Sequence, residues 1–314
     1  MEVTARRFVV VGSLNVDLVT QVRQFPKPGE TVLAGGELAT LSGGKGANQA
    51  LAAARLGANT ALVGRVGDDA YGRHLLECLQ RDRVACSGVG TTPGCSSGVA
   101  VIVVDQAGRN TIIVAPGASA RLSTDDLDRH LSRLVPGNVV ALQLEIPLPA
   151  VAHAAALARA RGALVVLNPS PAQRLGDTLL ASVDMFVLNE TEASLLTGQP
   201  VDTIAQAGSA AAALRKRGAP CVLVTRGAGG VVAAQATGIH HFPARTVAAI
   251  DTTAAGETFI GGLCAGLLEG LELPEAIELG QAAAAVQVTR PGAQAAMPFR
   301  RELDESGIGG RAAG

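Results

Sequence analysis

Aromatic side chains are nearly missing from this 314-residue chain, which has six Phe, one Tyr and no Trp. A core must therefore be built from Ala, Val and Leu, and with 48% hydrophobic residues there are enough to bury a large one. Charged residues reach only 17%, which argues against a disordered chain. The net charge of −1 gives no general attraction for nucleic acid or an anionic membrane. Cysteine pairing signals are missing too. The five cysteines, Cys78, Cys86, Cys95, Cys221 and Cys264, are odd in number and include no CxxC pair. Reduced thiols in the cytosol explain this better than a disulfide framework or a zinc site, with Cys95 in TTPGCSSG expected to be the exposed one. No window approaches the run of about 18 apolar residues that a transmembrane helix needs. Arg6-Arg7 before FVVVG is followed too soon by Asn15 and Asp17 to form a secretory signal. The expectation is a soluble cytoplasmic protein.

What the chain does have is alternation. Short apolar runs, RFVVVG (7–12), TALVGRVG (60–67), NVVALQLE (138–145), ALVVLNPS (163–170), DMFVLN (184–189) and PCVLVTRG (220–227), read as buried strands. Between them ANQALAAARLG (47–57), DAYGRHLLECLQRD (69–82) and LPAVAHAAALARARG (148–162) read as helices. This pattern predicts an α/β fold: a doubly wound, mainly parallel sheet with helices on both faces. Two regions break it. Residues 17–40, around Pro26-Lys27-Pro28-Gly29, and 97–115, around Gln106-Ala107-Gly108-Arg109, read as antiparallel strands outside the main sheet that together form a small lid. One α/β domain over 1–304 is expected, with the tail ESGIGGRAAG (305–314) disordered. There is no internal repeat.

Four motifs carry chemistry, each beside a plainer reading. Ser42-Gly-Gly-Lys-Gly-Ala-Asn-Gln49 opens a helix, where glycines let backbone approach a ligand and the first turn offers N–H groups; it is equally a Gly-rich turn. It lacks Walker spacing. Asn15-Val-Asp17 puts two polar side chains on one face after a strand, suited to vicinal hydroxyls or simply to solvent. Asn189-Glu-Thr-Glu192 has capping-box spacing, and Glu192 could also order water on a magnesium ion. In Asp251-Thr-Thr-Ala-Ala-Gly-Glu-Thr-Phe259, small residues bare a helix N-terminus as an anion hole, with a carboxylate beside it to take a proton. Its plain reading is Asp251 as an N-cap.

In this order the motifs resemble the ribokinase, or PfkB carbohydrate kinase, family. The resemblance runs from GSLNVDL (12–18) through PGETV, GGKGANQA, LQLE, LNP, NETEA, VTRGAGG and DTTAAGETF to VTRPGAQAAMP (288–298). It implies ATP-dependent phosphorylation of a sugar's primary hydroxyl, O5 in the case of ribose. It further implies that Asn15, Asp17, Gly44, Lys45, Gly46, Ala47, Asn48 and Glu145 hold the sugar. Asn189 and the turn Thr225, Arg226, Gly227, Ala228, Gly229, Gly230 would hold ATP. Glu257 would be the base, beside an anion hole of Ala254, Ala255 and Gly256. Glu192 would help place Mg²⁺ indirectly, and Asp251, Thr253, Gln287, Arg290, Gly292 and Ala296 would surround K⁺. The lid strands would pair two subunits into a homodimer.

The chain departs from the family pattern twice. The family's base is an aspartate where Glu257 stands, and Gln281 replaces a histidine often found beside the adenine. Two alternatives to a ribose kinase thus stay open: a non-catalytic sugar or nucleotide sensor on the kinase fold, and a kinase for deoxyribose, another furanose or a nucleoside. The scarcity of aromatics for a base to stack on weighs against the nucleoside.

Overall fold

The computed structural model describes residues 6–305. The tail expected to be disordered lies outside them, apart from Glu305. The central sheet is laid down by continuous apolar runs. Among the described residues thirteen strands are formed: β1 Phe8–Val11, β2 Asn15–Gln21, β3 Ala39–Gly43, β4 Thr60–Gly67, β5 Ala85–Thr92, β6 Gly98–Val104, β7 Asn110–Ala115, β8 Val139–Leu142, β9 Leu164–Leu167, β10 Met185–Asn189, β11 Cys221–Thr225, β12 Val231–Gln235 and β13 Gly238–Phe242. Nine of them make one sheet in the order β13-β12-β11-β10-β9-β8-β1-β4-β5. All pairings from β5 across to β11 are parallel, and β12 and β13 add an antiparallel edge. Successive side chains point to opposite faces. Hence Val9 and Val11 of β1 join one buried cluster while Phe8 and Val10 join the other. A parallel strand covered on both sides has no use for a polar face, which is why these runs are uninterrupted.

The helices are α1 Lys45–Arg55, α2 Ala70–Arg81, α3 Thr124–Leu131, α4 Leu148–Ala160, α5 Asp177–Ala181, α6 Glu190–Thr197, α7 Ile204–Lys216, α8 Ala255–Glu269, α9 Leu273–Gln287 and α10 Arg300–Glu305. Among them, α1, α8 and α9 cover one face, and α3, α4, α6 and α7 the other. This is the doubly wound arrangement expected from the alternation. The chain turns outward in both directions from β1, which lies between β4 and β8, and ligands in such sheets sit at the carboxyl ends beside that point.

The lid is a separate four-stranded sheet, β3-β2-β6-β7. One expectation is corrected here. The strands were read as antiparallel, but β2 and β6, which join the two lid segments, run parallel; only the β2–β3 and β6–β7 pairs are antiparallel. Parallel neighbours need a long crossover, and the chain between β2 and β6 includes α1, β4, α2 and β5. A second correction concerns cysteine. All five are free, but Cys95 is only half-buried, like Cys78 and Cys86, and Cys221 and Cys264 are buried. Among the described residues no helix is long and apolar enough to cross a membrane.

Candidate active site

The residues after β1 and β8, the start of α1 and the start of α8 converge at the carboxyl end of the sheet. Glu145, three residues past β8, is the hub. Its Oε2 accepts from Ser13 Oγ at 2.5 Å, from the Lys45 N–H at 3.1 Å and from Asn15 Nδ2 at 3.3 Å. Lys45, the first residue of α1, extends its ammonium to Glu257 Oε1 at 2.9 Å, and both side chains are largely buried. Asn48, one turn further along α1, accepts from Gln294 Nε2 at 2.9 Å. The structure thus brings together Asn15, Asp17, Lys45, Asn48, Glu145 and Glu257, six of the residues singled out in the sequence.

The close approach that makes this possible depends on Gly46. A Cβ there would lie 2.7 Å from the carbonyl carbon of Gly12, so α1 can press onto the end of β1 only with glycine at that position. The expectation that the first turn of α1 leaves N–H groups for a ligand is corrected. The Lys45 N–H goes to Glu145, the Gly46 N–H to Ser13 Oγ and the Ala47 N–H to the Ser13 carbonyl. Gly44, Gly46 and Ala47 are accordingly buried as framework.

Charge in this pocket is unbalanced. Burial pushes the Asp17 carboxyl up to about 7, and the nearby negative charges of Glu145 and Glu257 act in the same direction, with Lys45 opposing them. Burial also works to raise Glu257, but the attraction and hydrogen bond of Lys45 outweigh it and hold that carboxyl below the usual range. Lys45 in turn is held protonated: burial disfavours its charge, and Glu257 and Glu145 more than compensate.

The head of α8 differs from the plain reading of its sequence. Asp251 is not the N-cap. That position is taken by Ala254, in the left-handed region at φ 62°. Asp251 instead ties two loops together, its Oδ1 accepting from the Thr253 N–H at 2.9 Å and its Oδ2 from the Gly292 N–H at 2.8 Å. Burial would raise its carboxyl, and these hydrogen bonds bring it below the usual range. Gly256 is exposed, and a Cβ built on it meets nothing within 4 Å, so the space in front of the helix terminus is open. Ala255 turns its N–H back to the Thr252 carbonyl. A side chain in the left-handed conformation costs about 1–2 kcal/mol. Glycine would remove that strain, but it would add about 0.4–1 kcal/mol of unfolded-chain entropy. Ala254→Gly is therefore expected to stabilise the protein by a net ~0.5–1 kcal/mol, about 1–3 °C in Tm, read by thermal melting.

The nucleotide candidates lie further along the sheet edge. Asn189 and Thr225 are register partners at the ends of β10 and β11. Asn189 and Glu192 form the capping box that their spacing suggested: Asn189 Oδ1 accepts from the Glu192 N–H, and Glu192 Oε2 accepts from the Asn189 N–H, both at 2.9 Å. Glu192 Oε1 also accepts from Asn189 Nδ2 at 3.0 Å, so both carboxylate oxygens are engaged. The turn after β11 is pinned by Arg226, whose N–H donates to the Gly230 carbonyl and whose guanidinium donates to the Asp202 carbonyl. Gly227 and Ala228 stand exposed at its tip. Gln281 donates to the carbonyls of Phe242 and Pro243.

Near Asp251, Gln287 is fully buried; its Nε2 donates to the carbonyls of Thr253 and Gly292, and its Oε1 has no partner. Arg290 pairs with Glu302 through its guanidinium, and Ala296 is buried. Among the described residues no group of three or more His, Cys, Asp or Glu could hold a metal ion. Two residues escaped the sequence reading, Ser13 and Gln294. Ser13 lies inside GSLNVDL, and its one available signal was a hydroxyl two residues before Asn15; nothing local marks Gln294, which acts on Asn48 from 246 residues away.

Comparison with known proteins finds relatives over nearly the whole chain. Residues 5–300 match the family described as pfkB family carbohydrate kinase. A ribokinase of Haemophilus influenzae is 41% identical over 96% of this chain and 98% of its own length. A deoxyribokinase of Salmonella typhi is 37% identical over 94% of this chain and 97% of its own. The structure of Arabidopsis thaliana ribokinase complexed with ribose and ATP is 34% identical, with a TM-score of 0.88 over 96% of this chain and 98% of that one.

Proposed function

The chain belongs to the pfkB family of carbohydrate kinases, and from that premise we propose that it transfers the γ-phosphoryl group of ATP to O5 of D-ribose, giving ribose 5-phosphate and ADP. The observation that carries this reading is the junction of Glu257 with Lys45 and Glu145. It sets a carboxylate among polar side chains at the carboxyl end of the sheet, in the first turn of a helix whose N-terminus is open at Gly256. In this reading Asn15, Asp17, Lys45, Asn48 and Glu145 hold the sugar hydroxyls. Glu257 takes the proton of the attacking hydroxyl, and the Gly256 end of α8 faces the charge that develops on the phosphoryl group. Asn189 and the 225–230 turn hold the nucleotide.

Metal ions complete the proposal. The oxygens of Asp251, the Thr253 and Gly292 carbonyls and the orphaned Gln287 Oε1 form an all-oxygen set of the kind a hard cation such as K⁺ takes. Mg²⁺ suits a site made mainly by substrate phosphates and water, with Glu192 acting through water because its oxygens are already engaged. When bound, such ions neutralise phosphate charge. A cytoplasmic setting accompanies this reading. So does a homodimer through the lid, where Leu41, Val101, Ile112, Ile113 and Val114 expose apolar surface. Sedimentation should show one species of twice the chain mass.

The direct test is ADP release with ATP, Mg²⁺ and K⁺, using ribose and 2-deoxyribose in parallel. Ribose-dependent turnover is expected, with ribose the better acceptor. Tight binding of ribose and ATP without turnover would return the sensor reading, and preference for 2-deoxyribose would move the acceptor.

A further inference from the structure

We infer that Lys45 is the positioning residue of the base: its ammonium grips one oxygen of Glu257 and leaves the other for the attacking hydroxyl. The inference rests on Glu257 being the base. Three observations point to it. Lys45 Nζ lies 2.9 Å from Glu257 Oε1 and is the one side-chain partner that Glu257 has among the described residues. Glu145, the other carboxylate within reach, is already satisfied by Ser13, Asn15 and the Lys45 backbone, so the ammonium is not needed there. Finally, the two residues sit in the first turns of helices held in close contact. A Cβ on Gly261 of α8 would come within 2.5 Å of the Ala52 Cβ of α1. The frame that sets the Lys45–Glu257 distance is therefore rigid.

The titratable groups facing this pair are Asp17 from β2, Glu145 from beyond β8 and Glu192 from α6, all acidic. One ammonium thus stands among four carboxyl groups. Lys45 holds the Glu257 carboxyl below the usual range against burial, which works to raise it. The chemical step balances simply. The hydroxyl O–H bond breaks as the Glu257 Oε2–H bond forms, the oxygen's electron pair makes the new bond to phosphorus, and ADP leaves with the pair from the broken P–O bond. Once Glu257 is neutral, Lys45 has lost the nearest of the negative charges around it as the phosphate ester forms.

The test compares the pH dependence of kcat and of kcat/KM between pH 5 and 9 for the protein and its Lys45→Met and Lys45→Arg forms. The carboxyl ¹³C shift of Glu257 is titrated in each. For Lys45→Met, kcat should fall roughly 10- to 100-fold as the base loses its orientation. Its acid limb should move up by at least about one pH unit as the opposite charge is lost. Lys45→Arg should keep the limb in place. A rise in KM alone, with kcat and its limb unmoved, would mean that Lys45 only holds sugar and would overturn the inference. So would an ordinary glutamate titration for Glu257 in the unaltered protein, a result that needs no variant to fold. Absence of sugar-dependent turnover in the unaltered protein would count against the kinase reading instead, and the Glu257 titration would still decide the pairing.

Discussion

Replacing Glu257 by glutamine is expected to lower kcat by ~10²–10⁴-fold, the range that a positioned proton acceptor supplies, with ribose and ATP binding nearly unchanged. The amide keeps the size of the side chain but cannot take a proton at this pH. Its carbonyl can still accept from Lys45, so the loss should appear in kcat and not in folding. Glu257→Asp separates chemistry from reach. It restores a carboxylate about 1.5 Å further back, and a misplacement of ~1 Å can cost on the order of 100-fold. The aspartate form should therefore fall between the two, with its contact to Lys45 stretched. If the aspartate form were active while the unaltered protein was silent, Glu257 would be a disabling substitution. The measurement is single-turnover phosphoryl transfer at saturating ATP and ribose.

That this question could be posed from sequence shows which features were local. The strands were legible because a strand buried on both faces must be apolar throughout, as in Phe8–Val11 and Met185–Asn189. The Asn189–Glu192 capping box was legible because both partners lie within one turn. The features that were not legible depend on distance or on conformation. The Lys45–Glu257 pair spans 212 residues, and neither helix start names its partner. Ala254 looked like a filler residue, but its significance is a positive φ, which an alanine does not announce. Asp251 looked like a cap and is instead a clasp on the 292 loop. The glycines of α1 suggested free N–H groups, and the chain uses them to press the helix against β1, spending those groups internally. The polar residues singled out in the sequence converge at one end of the sheet, whereas what each one touches came only from the fold.

Asp17→Asn is expected to weaken ribose binding and at the same time to stabilise the protein above neutral pH. The Asp17 carboxyl takes no hydrogen bond from the described residues, and burial plus the negative charges of Glu145 and Glu257 outweigh the opposing charge of Lys45. Its folded-state value of about 7 stands above the ordinary 3.8, so the folded protein binds a proton that the unfolded chain does not between those values. Stability from this group therefore rises as pH falls from 7 towards 4, and above pH 7 the buried charge is a cost. At ~1.4 kcal/mol per unit, and allowing for its partial exposure, that cost is on the order of 2–4 kcal/mol at pH 8. Asparagine removes it, so urea denaturation at pH 8 should show the variant more stable by about that amount, and at pH 4.5 the two proteins should nearly coincide. Function moves the other way. A hydrogen bond from a sugar hydroxyl to a carboxylate contributes ~1.5–3 kcal/mol, so KM for ribose should rise about 10- to 100-fold. Equal stability of the two proteins at pH 8 would mean that Asp17 is not strained in the empty pocket. Unchanged KM would take it out of the sugar site. With both effects present, the pocket holds an unpaired carboxylate at the expense of stability, and the hydroxyls of the sugar are the partners it lacks.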